Sequence, residues 1–311
     1  MTTVVYSRRK PPGHYDNYER VFSAIAPCRV ERRLVAQVLG VFGRDRIVFL
    51  DADGMHLLFS PFVALRSLFG LKSIFLSLRT EHLLRLTART AVWRAVFRLV
   101  KWSRSSKVVS IHKDGEVDGL ARYVDEFIYD LQYWDLDLLD LGSATVPEWS
   151  KSGSTSLLPK VLVFGSLNQK RLRGEWLEFL ARPRRRGFEL ILAGDSGFSE
   201  TELALMSDCV VIDRAVSDAE MMFLFGEADY LVVYRDLGTC CPSGIFGRAI
   251  QMGKTVIVKS GGYLARNHKE YAGLLAIERL EDLERVVAGT PEPVESPDYD
   301  DRELLASLMR F

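Results

Sequence analysis

Cysteine is scarce and unpatterned: Cys28, Cys209, Cys240 and Cys241 make up the whole set. None has the spacing of a metal-ligand or disulfide framework, and adjacent Cys240 and Cys241 cannot readily bond to each other. A disulfide-stapled fold is therefore excluded, and a reducing, cytoplasmic compartment is expected. Net charge is missing too, with 41 Lys and Arg against 41 Asp and Glu. A dedicated nucleic-acid binder is normally basic overall, so nucleic acid is not an expected partner. No run of 18 apolar residues occurs, so no spanning helix is expected. The opening MTTVVYSRRKPPGHY lacks the apolar core of a secretion signal.

What is present is enough for two ordinary cores. The chain has 311 residues, of which 48% are hydrophobic and 11% aromatic, which suits two domains of roughly 150 residues and excludes global disorder. The neutral total hides a division. Residues 1–156 carry 22 basic and 17 acidic side chains, and residues 157–311 carry 19 and 24. Between Leu57 and Lys107 there are ten Lys and Arg and one acid, Glu81.

Short apolar runs alternate with helical spacing along the chain. Strand-like runs include Val4–Tyr6, Ile47–Leu50, Ser73–Leu78, Lys107–Ile111, Lys160–Phe164, Glu189–Ala193, Tyr230–Tyr234 and Thr255–Val258. Helical spacing falls in Glu175–Arg182 and Ser217–Phe225. This alternation predicts an α/β fold with parallel sheets. Gly142–Pro159 is rich in Ser, Gly and Pro, which is linker composition. The expected layout is a βαβ domain over 1–145, a linker over 146–159 and a second βαβ domain over 160–290. The tail, 291–311, is acidic and ends in a short helix. Ligands of such sheets bind beyond the carboxyl ends of the strands, so two facing domains would enclose a cleft.

The most informative segment is YLVVYRDLGTCCPSGIFGRAIQMGKTVIVK, Tyr230–Lys259. It reads as a buried strand, a loop, a helix and another buried strand. Ser243 is a good N-cap, and Gly244 lets a ligand approach the backbone. The amides of Gly244, Ile245 and Phe246 at the positive end of the helix would cradle a diphosphate. An ordinary strand–loop–helix connection is the alternative. In VLVFGSLNQKRLRGEWLEFL, Val161–Leu180, a strand ends at Gly165, and Ser166, Lys170, Arg171 and Arg173 follow in a loop. Those cations can neutralise phosphate, or they are solvated loop charges. LILAGDSG presents Asp195 after a strand, and VVIDRA presents Asp213 and Arg214.

The order of these motifs resembles the carboxyl-terminal domain of GT-B glycosyltransferases, especially glycosyltransferase family 4, over about residues 160–290. The resemblance implies a GT-B fold, two Rossmann-like domains facing a central cleft, that uses a nucleotide-diphosphate sugar and has no cofactor or bound metal. It implies that Gly165, Ser166, one of Lys170, Arg171 and Arg173, and Ser243, Gly244, Ile245 and Phe246 hold the donor diphosphate. Asp195, Asp213, Arg214 and Arg248 fall on the nucleotide side. One departure matters: the family's pair of glutamates should fall near Cys240 and Arg248, and neither is acidic. Arginine cannot accept the ribose hydrogen bonds that a glutamate would. Arg248 would instead meet a phosphate or a carboxylate, or the protein is a non-catalytic scaffold or partner subunit. A sugar-nucleotide epimerase is a further alternative.

The amino-terminal half matches more loosely. Gly13, His14 and Tyr15 follow the first strand, where GT-B enzymes place a loop on the acceptor side. Arg79, Glu81 and His82 lie just past the Ser73–Leu78 run, near the position of a catalytic-zone histidine in related enzymes. Glu81 can act as a base for an acceptor hydroxyl or as an acid complementing a helix dipole. His112 ranks below His14 and His82. Asp51 and Asp53 lack a third metal ligand at useful spacing.

Finally, Ala91–Lys101 reads as an amphipathic helix, with Val92, Ala95, Val96, Leu99 and Val100 on one face and Arg94, Arg98 and Lys101 on another. Trp93, Phe97 and Trp102 lie nearby. An anionic membrane surface contacted through residues 57–107 is the expected partner, beside a core helix with a solvated basic face as the alternative. The resulting expectation is a cytoplasmic glycosyltransferase at the inner face of a membrane. It would use a saccharide or polyprenyl-linked acceptor in surface polysaccharide or glycoconjugate assembly, with retention of configuration.

Overall fold

The computed structural model describes residues 2–7, 14–50, 60–85, 87–113, 119–139, 157–165, 175–182, 187–195, 198–235, 242–288 and 291–311, without the side chains of residues 14, 15, 34, 35 and 60. The chain forms two compact units. One comprises Met1–Leu138 with Tyr299–Phe311, and the other Leu139–Asp298.

The first unit has a six-stranded sheet of β1 (Thr3–Tyr6), β2 (Cys28–Glu31), β3 (Arg46–Phe49), β4 (Ser73–Ser77), β5 (Ser106–Ser110) and β6 (Glu126–Phe127). Its order is β2-β1-β3-β4-β5-β6, with every pair parallel. The inner strands are continuous apolar runs because both of their faces are covered. The helices α1 (His14–Ile25), α2 (Leu34–Gly40), α3 (Ser60–Leu68) and α4 (Ala88–Trp102) connect them. Thr87 and Thr90 cap α4 reciprocally, and its buried stripe is Trp93, Val96, Phe97 and Val100. The spacing is helical, but the face differs from the one expected. Val92 and Ala95 are exposed, and Trp93 and Phe97, placed beside an interface by the sequence, are core residues.

A fully buried arginine ties the amino-terminal edge of this sheet together. Arg66 donates to the hydroxyl of Ser73 (2.8 Å) and to the carbonyls of Val41 (2.5 Å), Gly43 (2.9 Å), Asp45 and Lys72 (3.0 Å). Burial lowers its guanidinium to about 10. The planar fork suits this spread of acceptors, which a lysine could not span.

The last residues also belong to this unit. Asp301 accepts hydrogen bonds from the Tyr129 amide (2.8 Å) and from Lys113 (2.5 Å). The Arg302–Arg310 helix buries Leu305, Leu308 and Met309, and Arg46 donates to the carbonyls of Met309, Arg310 and Phe311.

The second unit has β7 (Lys160–Phe164), β8 (Glu189–Ala193), β9 (Val210–Ile212), β10 (Tyr230–Val233), β11 (Thr255–Lys259) and β12 (Leu274–Ile277). Its order is β12-β11-β10-β7-β8-β9, again parallel throughout. The unit's first strand, β7, therefore lies between its second and its fourth. That is the order of a dinucleotide-binding Rossmann sheet, whose ligand crevice opens where the winding reverses, here between β7 and β10.

Candidate active site

At that reversal, backbone comes unusually close to backbone. Gly165 follows β7 with φ 108°, and Gly194 follows β8 with φ 141°. A Cβ on Gly194 would sit 1.8 Å from the Gly165 carbonyl oxygen, so only glycine fits there.

Beyond β10, Ser243 opens the Gly244–Gln251 helix and accepts a hydrogen bond from the Phe246 amide at 3.4 Å. The first intrahelical bond runs from the Gly247 amide to the Ser243 carbonyl (2.8 Å). The Gly244 and Ile245 amides precede it at the positive end of the helix. Arg235, just past β10, donates to the Ser243 hydroxyl (3.0 Å) and the Pro242 carbonyl (3.3 Å). Its cation thus sits beside the cap. Sequence reasoning missed it, although its position at the end of the YLVVYR strand was a usable signal.

The other expected donor-side residues are scattered. Ser166, Lys170, Arg171 and Arg173 lie outside the described residues, as do Gly13 and the side chains of His14 and Tyr15 on the acceptor side. Asp195 and Asp213 are exposed. Arg214 forks onto Glu220, donating at 3.1 and 2.5 Å. That bond, with help from Ser217, lowers the Glu220 carboxyl to about 2. Arg248 is buried in its helix, with Nη1 3.6 Å from the Met221 sulfur and 4.0 Å from the Asp218 carboxylate.

In the first unit, the carboxyl ends of β4 and β5 bring three titratable side chains together. Glu81 lies in the short 3-10 turn Thr80–Leu84, and its Oε2 is 2.9 Å from Nε2 of His112, just past β5. Its Oε1 is 3.6 Å from Nε2 of His82. Side-chain exposure rises from 0% at His112 through 14% at Glu81 to 34% at His82, so the row runs from core to surface. The Thr80 hydroxyl anchors the turn, 2.9 Å from the Ser77 hydroxyl and 2.8 Å from that of Ser110. Burial holds the His82 imidazole below its ordinary value, Glu81 opposes this, and Arg85, Arg79 and Arg89 reinforce it. His112, ranked low from sequence, is a direct partner of Glu81. The signal was its place one residue beyond a buried strand. Among the described residues, no group of three or more His, Cys, Asp or Glu is arranged to hold a metal ion.

No known protein family's sequence profile matches the chain, and no curated protein sequence does. Solved structures do match in fold. WaaG, a glycosyltransferase involved in lipopolysaccharide biosynthesis, superposes with a TM-score of 0.51 at 14% identity, over 92% of this chain and 89% of that one. AviGT4, a glycosyltransferase involved in avilamycin A biosynthesis, superposes with a TM-score of 0.51 at 11% identity, over 99% and 92%. With its two parallel six-stranded sheets, this chain has the GT-B glycosyltransferase fold.

Proposed function

We propose that this protein transfers a sugar from a nucleotide-diphosphate sugar to a saccharide or lipid-linked acceptor. The supporting observation is the capped start of the Gly244–Gln251 helix, with Arg235 donating to Ser243, at the winding reversal of a Rossmann sheet. Helix-start amides and a cation at that position suit a diphosphate, whose negative charge grows as the bond to the anomeric carbon breaks. The acceptor oxygen forms the new bond to that carbon on the face that the diphosphate leaves, and its proton passes to a base, for which His82 and Glu81 are the candidates. The chemistry needs no metal or other cofactor. Retention of configuration, a role in surface polysaccharide or glycoconjugate assembly, and a cytoplasmic site of action beside a membrane complete the proposal.

Calorimetry with a panel of nucleoside diphosphates tests the donor side. Micromolar to millimolar binding of at least one is expected, weakened about tenfold by Arg171→Ala. Absence of binding across the panel would overturn the reading. One observation favours a second reading, a non-catalytic subunit: Arg248 stands near where the resemblance places an acid and is buried against Met221 and Asp218. That reading expects nucleotide binding with neither sugar transfer nor donor hydrolysis.

A further inference from the structure

The large apolar side chains exposed on the first unit are not spread evenly. Leu39, Phe42, Leu65, Leu68, Phe69 and Trp102 all lie where α2, α3 and α4 end and the chain turns into β3, β4 and β5. Leu39 is 75% exposed, Phe69 67% and Trp102 77%. The three segments are neighbours. Arg66 bonds to the carbonyls of Val41 and Gly43 in one and of Lys72 in the next. The Ser67 carbonyl accepts from the Ser103 hydroxyl at 2.8 Å, and the hydroxyls of Ser67 and Ser106 are 3.1 Å apart. The apolar side chains therefore share the amino-terminal edge of one sheet, on a backbone stitched together beneath them. Soluble proteins rarely leave such a patch uncovered.

The charges beside this patch have one sign. Arg44 and Arg104 are exposed in two of these segments, whereas Lys72, exposed in the third, donates to the Phe311 carbonyl (3.0 Å). The sole acid of residues 39–45, 65–72 and 101–107 is Asp45, half-buried and accepting a hydrogen bond from the Thr2 amide (3.2 Å). The basic face of α4 is engaged elsewhere. Lys101 donates to the carbonyls of Ala121 (2.5 Å) and Val124 (2.6 Å), and Arg98 lies over the Tyr123 ring at 5.2 Å.

We infer that this protein docks on an anionic lipid leaflet through the helix-end edge formed by Leu39, Phe42, Leu65, Leu68, Phe69 and Trp102, with Arg44 and Arg104 meeting the headgroups. Apolar and aromatic tips at one level, ringed by cations, match the boundary between acyl chains and phosphates. A soluble partner would be expected to carry acids opposite those cations; a leaflet supplies them as a continuous sheet. The inference deepens the membrane part of the proposed function but does not depend on glycosyl transfer. The docking edge is at the amino-terminal ends of the strands, and Glu81 and His112 are at the carboxyl ends. Five-residue strands separate the two by about 17 Å.

The test is flotation of the full chain with vesicles of phosphatidylcholine alone or with 30% (about one lipid in three) phosphatidylglycerol. The wild-type protein should float with the anionic vesicles at low salt and be lost at high salt. Tryptophan emission should shift to the blue on binding, and Trp102→Phe should abolish the shift. The combined change Leu68→Ser, Phe69→Ser and Trp102→Ser should cut vesicle binding at least tenfold, and Arg44→Glu with Arg104→Glu should do so independently. Arg98→Glu should have little effect. Unchanged flotation of the triple variant overturns the inference, as does equal binding to neutral vesicles. So does a dimer in sedimentation that the triple variant breaks into monomers, which would mean that a second copy covers the edge. Nucleoside diphosphate binding by the same variants separates the two proposals. Lost flotation with intact nucleotide binding supports the docking edge, and intact flotation without nucleotide binding leaves the edge standing and sinks glycosyl transfer alone.

Discussion

Glu81 sits between two histidines that differ in burial, and that difference divides their roles. In the proposed reaction the enclosed His112 would position the carboxylate, and His82, which reaches the surface, would meet the acceptor. His82→Asn should lower kcat by a factor of about 10²–10⁴ with a smaller change in KM, the range for losing a general base. Because burial is the largest influence on His82 and lowers its pKa, the acidic limb of kcat/KM should lie below the ordinary imidazole value of 6.5. Glu81 acts in the opposite sense, so Glu81→Gln should move that limb to still lower pH. A pH profile that Glu81→Gln leaves in place would detach Glu81 from the titrating group. On the donor side, Arg235→Ala should cost about 1–3 kcal/mol of diphosphate binding, the worth of a charge-assisted hydrogen bond, in calorimetry with the nucleotide that binds best. Glu81 and His82 were legible in the sequence because they follow a buried strand. The pairing with His112 was not, since it depends on β4 and β5 being neighbours.

Among the described glycines, Gly194 tolerates a side chain least. Gly194→Ala would drive a methyl group into the Gly165 carbonyl at a left-handed backbone angle. A loss of about 3 kcal/mol or more is expected in urea unfolding, because backbone on both sides must move. The Asp218–Glu227 helix depends on its capping box, in which Ser217 and Glu220 bond reciprocally while Arg214 grips Glu220. Glu220 is held at about 2, below the ordinary 4.5, so its stabilisation is complete above about 4.5 and lost as pH falls through about 2. Glu220→Gln should flatten the decline of the urea midpoint across that window, by under about 1 kcal/mol because Arg214 is half exposed. Buried strands such as Lys160–Phe164 and Glu189–Ala193 were legible as apolar runs. The edge strand Cys28–Glu31 was not, because it has one side open and reads as mixed sequence, and Leu274–Ile277 was not, because it is an apolar run of only four residues.

For the molecule as a whole, the Arg302–Arg310 helix completes the first unit although it lies more than 160 residues beyond the rest of that unit in sequence. Removing residues 299–311 strips away Leu305, Leu308 and Met309, each worth about 1.5–3 kcal/mol when buried, together with the two hydrogen bonds to Asp301. That sum is comparable with the whole stability of a domain. Calorimetric melting of the truncated chain should show the first unit's transition lowered or absent and the second unit's retained. Loss of both transitions together would mean that the units do not unfold separately.

The α/β class, the two-part division and the helix start at Ser243 followed from the sequence alone, because they rest on local patterns: apolar runs for doubly covered strands, a capping residue before a glycine. Neutral composition likewise concealed a basic amino-terminal half that counting along the chain revealed. Tertiary structure decided the rest, because parallel strands bring together residues that the sequence keeps apart. It turned α4 so that Trp93 and Phe97 face the core, bound Lys101 and Arg98 to the 121–124 segment, and gathered the exposed apolar residues at the helix ends. It also placed Arg248 against Asp218, and His112 against Glu81 across 31 residues of chain.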